Sequence, residues 1–558
     1  MVFKVSLIAN CDDVFLAWNP DADIPGCIGF AIERKLNGKV SVLENRVGFK
    51  DGKVPNPAPS TDYPFQRLSW TDHGVKRGDK VTYRITARIG TQGNLKNGPA
   101  SNWTNEITLS PVYGDVEAYF NRGVVLSQFM GRLMAEKGWD VADIKTHAQE
   151  VDDKVRNFLG GELRLALLKM LDDAFADEDV TLHAALFELT DTELLNKLTQ
   201  LEGRLNIILA NGAIKKRGED ENEDARKALT DAGANVIDRM CAPSFLGHNK
   251  FVVLSKKGKP AAVWTGSTNW QPTGLCTQAN NGLLVNNASL AQCYMDAWTR
   301  ISKAGDKKGG KLAQGNMIQP PQVHALKNNS YAFAQFTSVP DSSPRPIDMA
   351  ELLDLIAGAK QSLLFAMFMP GADIFNAAVG RGKDIFVRGA ANTFPKAGAD
   401  TSNVGVDLVN SGQKAAKFQL EVVEPEGIDN SFSAWVEEVT RRQFNAIGHA
   451  IIHSKILVID AFGGNPTVVT GSHNFSKTAS ASNDENFVVI SGNRALAQAY
   501  AVNILGLYDH YRWRKYVTDC EKAKKHPWSH LSEDQNWLKK YRASPDRKAL
   551  LTMLGIAT

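Results

Sequence analysis

Residues 248–285 read HNKFVVLSKKGKPAAVWTGSTNWQPTGLCTQANNGLLV, and residues 453–490 read HSKILVIDAFGGNPTVVTGSHNFSKTASASNDENFVVI. His248 and His453, Lys250 and Lys455, Gly266 and Gly471, Ser267 and Ser472, Asn269 and Asn474, and Asn281 and Asn486 all stand 205 positions apart. A polar set held in register through two different apolar backgrounds marks an internal structural repeat whose copies face each other. In each copy His and Lys lie two apart before an apolar run, FVVL or ILVI, that reads as a buried strand. Period-two alternation puts both side chains on one face of it. A second short strand, AAVWT or TVVT, runs into Gly-Ser-x-Asn, where the glycine permits close backbone approach.

Two such halves supply a cage of two histidines, two lysines and two asparagines. That cage suits a tetrahedral anion passing through five-coordinate phosphorus. Lys250, Lys455, Asn269 and Asn474 are positioned to hold the non-bridging oxygens and offset developing charge. One histidine attacks phosphorus while the other protonates the leaving oxygen, and water then releases the phosphohistidine. A neighbouring ammonium disfavours imidazolium and keeps the attacking ring neutral. No metal ion or other cofactor is expected, because no carboxylates repeat with the histidines and lysine is not an ordinary metal ligand.

His-x-Lys, four residues, Asp and then Gly-Ser-x-Asn resembles the phospholipase D superfamily, and His453, Lys455, Asp460 and Gly471 to Asn474 carry the whole pattern. The first copy departs from it, with Ser255 where the second has Asp460. The resemblance implies that this Asp supports a loop and takes no part in the chemistry. It also implies that Glu485 is the carboxylate that orients a catalytic histidine, with Asn280 at the equivalent place in the first copy. Family habit makes the first histidine the nucleophile, whereas the sequence proximity of Glu485 favours His453. Both assignments stay open at this stage.

With 558 residues the chain exceeds one ordinary domain, and its 43% hydrophobic and 22% charged content describes a globular protein with ample core. A net charge of +3 is too mild to argue for nucleic acid by itself. The six cysteines show no metal spacing and read as reduced core thiols. Neither a convincing signal peptide nor a membrane-spanning stretch is visible, so a cytoplasmic location is expected, with export by a signal-independent route as the alternative.

Residues 1–112 read as short strands between Asn, Asp, Gly and Pro clusters, the pattern of a small β-sandwich. VFLAWNPD, GFAIERKLNGK and VKRGDKVTYRITA resemble fibronectin type III strands, with Trp18 as the buried tryptophan. Trp70 and Trp103 are expected to pack against the core. From Val116, VEAYFNRGVVLSQFMGRLMAEKG and VDDKVRNFLGGELRLALLKMLDDAFA carry helix-period apolar residues. Strands and helices then alternate, which predicts a largely parallel sheet covered on both faces. SLLFAMFMP repeats TLHAALFEL in the second half, and residues 393–447, including the helical SAWVEEVTRRQFNAI, form an insertion.

The expected fold is therefore multidomain: an all-β, fibronectin type III-like sandwich at 1–112, then a duplicated α/β phospholipase D-type fold with halves at 113–320 and 321–520, and a polar tail at 521–558. The expected activity is phosphodiester hydrolysis of phospholipid head groups, with a phospholipid or membrane surface as partner and no obligate protein partner. The alternatives are a nuclease using the same cage and a binding-only protein, the latter suggested by Ser255 and Asn280. Lys256, Lys257 and Lys259, with Arg441 and Arg442, would favour a polyanion if they rimmed the cleft.

Overall fold

In the computed structural model of this chain the described residues are 2–45, 47–50, 58–123, 136–139, 141–307, 309–317, 320–340, 345–391, 421–423, 452–522, 524 and 530–557. The predicted helix in SAWVEEVTRRQFNAI, together with Arg441 and Arg442, lies outside them.

The amino-terminal region is a β-sandwich. Phe3–Ala9, Val14–Pro20 and Ser69–Asp72 form one sheet, and Lys80–Thr91 pairs with Cys27–Leu36 at the centre of the other. Trp18 is fully buried between the sheets, with Phe30 edge-on at 5.8 Å. Trp70 packs on Phe65 at 4.3 Å and Trp103 lies under the Arg84 guanidinium, so both tryptophans serve packing. The residues read as a polar tail are bound to this sandwich. The Trp537 indole N–H donates to the Cys27 carbonyl, Gln66 donates to that of Ser532, and Asn19 to that of Ile556. Burying Trp537 against Phe30 removes an aromatic surface from water that charge composition alone had hidden.

Two eight-stranded sheets follow, with one topology. The first runs Val112–Tyr113, Val116–Phe120, Asn281–Val285, Lys259–Gly266, Lys250–Lys256, Val180–Leu186, Leu205–Ala210, Asn235–Arg239. The second runs His324–Leu326, Ser330–Phe336, Asn486–Ser491, Thr467–Gly471, Lys455–Ile459, Ser362–Met367, Phe386–Ala391, Glu421–Val423. Two expectations need correction. Val116–Phe120 is a strand paired antiparallel with Asn281–Val285, while residues 124–135 of the predicted helix lie outside the described residues. Each sheet is also mixed, since parallel pairing joins only the last three strands named in each. The motif strands are joined by hairpins, which cannot make a parallel crossover. In the first copy Lys256 pairs with Lys259, and Lys257 and Gly258 turn the chain with φ of 51° and 74°, as a two-residue type I′ loop requires.

The two sheets meet along a reciprocal polar seam. Thr265 and Tyr294 hydroxyls donate to Asn486 Oδ1 at 2.8 and 3.1 Å, and the Asn281 amide donates to Thr470 and Tyr500 at 3.0 and 2.9 Å. Each asparagine thus reads the opposite half, and the pairs obey a pseudo-two-fold relation. Buried amides with all partners supplied fix one docking geometry, because any slippage leaves them unsatisfied.

Candidate active site

The seam brings both copies of the motif to one place. Lys250 and Lys455 begin equivalent strands, and each ammonium donates to the carbonyl of the histidine two residues earlier at 2.6 Å. Phe187 packs on His248 with ring centroids 4.8 Å apart, and Lys250 lies over the same ring at 4.9 Å. Phe368 repeats both contacts with His453 and Lys455, each at 4.9 Å. These phenylalanines seat both cationic side chains against an apolar wall, and they occupy equivalent places in TLHAALFEL and SLLFAMFMP.

The orienting residues cross over, which corrects the expected pairing. Glu485 does not orient His453; its Oε2 lies 3.2 Å from Nδ1 of His248. His453 Nδ1 instead donates to Asn280 Oδ1 at 3.0 Å. Each histidine therefore faces a group of the other half, His453 through a hydrogen bond and His248 through the close approach of the Glu485 carboxylate, whose Oε2 and the ring Nδ1 are both left without a hydrogen bond. Glu485 is also held by Asn483 at 2.8 Å, and its backbone N–H donates to Thr337.

The seryl and aspartyl groups support the frame. Ser267 Oγ donates to Asn280 at 2.7 Å and accepts from the Asn281 N–H, and Ser472 Oγ accepts from the Asn486 N–H at 3.0 Å. A Cβ on Gly266 or Gly471 would stand 2.4 or 2.3 Å from the Asn281 or Asn486 carbonyl oxygen, so only glycine admits this approach. Asp460 accepts from the backbone N–H groups of Lys360, Gln361 and Ser362, tying down the turn into a neighbouring strand. Ser255 at the corresponding place is buried with its hydroxyl unpartnered. Asn269 and Asn474 each leave an amide oxygen buried and unpartnered.

Burial and mutual repulsion set the charges. Burial, then Lys250, pushes His248 down to about 4 against the pull of Glu485. Burial and both lysines hold His453 well below the usual imidazole range. Burial lowers Lys250 to about 7 and Lys455 well below the ordinary ammonium value, with Lys250 adding to the shift of Lys455. Burial alone would raise Glu485, but His248, His473 and Asn483 outweigh it and hold the carboxyl at about 2. The result is an ionised carboxylate behind a neutral imidazole, facing two lysines whose ammonium forms an incoming anion would favour.

Sequence reading missed three contributors. Glu188 is buried and accepts from the Asn269 amide, but nothing repeats it, since Met369 stands in the second half. Arg239 and Asp484 form a buried ion pair at 2.8 Å directly beside Glu485, and no local spacing joins residues so far apart. The lysine cluster proves to be elsewhere. Lys256 ends the strand that Lys250 begins, about 20 Å away at ordinary strand rise, where Asp177 and Asp179 neutralise Lys256 and Lys257.

Residues 352–506 match the family model described as cardiolipin synthase, PLD-like domain. Among solved structures the chain is similar to phosphatidylserine synthase of Haemophilus influenzae Rd KW20, at 12% identity over 65% of this chain and 92% of that one, TM-score 0.40. It is also similar to Nuc, a phospholipase D family member from Salmonella typhimurium, at 21% identity over 32% and 95%, TM-score 0.20. Polyphosphate kinase of Porphyromonas gingivalis aligns at 11% identity and TM-score 0.37 over 58% of this chain, which spans only 45% of the kinase. No curated protein matches significantly.

Proposed function

We propose that this protein is a phosphodiesterase of the phospholipase D type that hydrolyses head-group phosphodiesters of phospholipids through a phosphohistidine. It is an enzyme built on the paired cage of His248, Lys250, Asn269, His453, Lys455 and Asn474. The observation that carries this reading is the crossed pairing of His248 with Glu485 and of His453 with Asn280. A carboxylate on Nδ1 fixes the proton there, leaves the Nε2 lone pair of His248 free to attack and stabilises the charged ring that results. His453, held by a neutral amide, protonates the leaving alcohol and then activates water. The diester's negative charge offsets the lysines and restores enough basicity for His453 to take up its proton.

The preference for lipid rests on the surroundings. The Lys256 and Lys257 cluster is remote and paired with acid groups, so it gives no basic rim. Met369, half exposed, lies two residues beyond the Met367 position that pairs with Lys455, and offers apolar surface beside the site. On this reading the units are 1–112, 113–320, 321–520 and 521–558, with a fibronectin type III-like sandwich that presents the enzyme to a lipid surface. No helix among the described residues is long and apolar enough to cross a membrane.

Phospholipid vesicles and supercoiled DNA, offered in parallel with excess chelator and the double variant His248→Ala/His453→Ala as control, test the assignment. Head-group release that the double variant lacks is expected, whereas DNA nicking lost in that variant would make the protein a nuclease. Ligand binding without turnover would leave a binding-only protein. Glu485→Gln is expected to lower kcat roughly 100-fold, as loss of one positioned acid–base contribution does, and to slow phosphohistidine formation more than its hydrolysis. Rapid-quench kinetics separates the two steps.

A further inference from the structure

Glu188 breaks the symmetry of the cage. Leu186 pairs with Lys250 and Met367 with Lys455 in the same register, so Glu188 and Met369 hold equivalent positions two residues further on. Glu188 is 8% exposed, Met369 50%. A carboxylate so buried is ordinarily matched to a cation, as Asp191 and Glu193 are to Arg156 and Arg164. Glu188 has no such partner within ion-pair distance among the described residues; its side-chain contacts are the amides of Asn269 and Gln271. Lys250, Lys455 and Glu221 are the charged groups that act on it, and burial raises it to about 7 despite the two lysines. It therefore stands one hydrogen bond behind an asparagine assigned to a phosphate oxygen, with its charge directed at both lysines of the cage.

We propose that Glu188 is a charge filter that admits phosphodiester monoanions and turns away phosphomonoester dianions, the product of the reaction included. This rests on the phosphodiesterase reading above and adds the charge class of the substrate. Hydrolysis breaks the bond from phosphorus to the leaving alcohol and forms one to water's oxygen, and the resulting monoester loses a second proton near neutrality. Each such turnover thus places an added negative charge beside Glu188. Where Glu188 is ionised, above about pH 7, its carboxylate in a poorly solvated site opposes that charge and speeds product departure. The second half needs no such group, because one filter beside the shared phosphate suffices.

Methyl phosphate and dimethyl phosphate serve as probes, with binding measured by calorimetry at about pH 8, where the first is a dianion and the second a monoanion. The full-length protein is expected to favour dimethyl phosphate by roughly tenfold or more, and Glu188→Gln to erase that preference chiefly by tightening methyl phosphate. Glu188→Asp, which keeps the charge, is expected to keep the preference. If Glu188→Gln weakens both ligands equally or leaves their ratio unchanged, the filter is overturned and the carboxylate only holds Asn269. If the unaltered protein binds neither ligand, it is the phosphodiester reading that fails, and the filter with it.

Discussion

His248→Ala and His453→Ala are each expected to lower kcat by at least ~10⁴-fold, because a nucleophile and its proton donor act as one unit and losing either stops the cycle. The two variants differ in where they stop. A 4-nitrophenyl phosphodiester has a leaving group that needs no proton. With it, His453→Ala keeps the imidazole backed by Glu485 and is expected to release one equivalent of nitrophenolate in a burst, then stall without the base that activates water. His248→Ala is expected to give no burst. Trapped phosphoenzyme should map to His248 by mass spectrometry. A burst in His248→Ala alone would exchange the two roles, and near wild-type turnover in either variant would overturn the shared site. The contrast follows from the crossed contacts, 3.2 Å from His248 Nδ1 to a carboxylate and 3.0 Å from His453 Nδ1 to an amide oxygen.

Those contacts mark the boundary of what the chain discloses as a sequence. The repeat at 205 positions, the strand after each His-x-Lys and the glycine before each Ser are local patterns, and the folded chain places them as they read. The owner of Glu485 is not local. It follows Asn483 and Asp484 on the approach to Asn486–Ser491, and the seam carries that approach to the opposite half, so nearness in sequence to His453 misleads. Glu188 is hidden for the opposite reason: it belongs to one half alone, with Met369 at the equivalent place, so the repeat does not mark it. In Val116–Phe120, VEAYF carries apolar residues that satisfy both periods, and pairing with Asn281–Val285 decides for the strand. The tail showed its charges, while Trp537 and Leu531 hold it to the sandwich.

Arg239→Ala is expected to be the most destabilising single change near the site, by about 3–5 kcal/mol, because it strands a buried carboxylate. Arg239 closes the last strand of the first sheet, and its Nε donates to Asp484 at 2.8 Å. Its Nη1 donates to the carbonyls of Gly305 and Lys307, and Phe245 packs on the guanidinium at 4.8 Å. Burial raises Asp484 to about 6 even with Arg239 present, and without the guanidinium the carboxyl is raised further. A carboxyl raised in the folded state binds more protons folded than unfolded, so the variant regains stability as pH falls through and below that value. Denaturant midpoints measured above and below about pH 6 should therefore converge on those of the parent on the acid side; a loss independent of pH would remove the stranded charge as its cause. Asp484→Asn on the Arg239→Ala background tests the same point at constant pH, since it removes the charge and should recover much of the stability. Activity is not expected to return with it. Asp484 places Glu485, its backbone N–H donating to the Leu246 carbonyl two residues before His248, so the pair that joins the two halves also sets the carboxylate against the His248 ring.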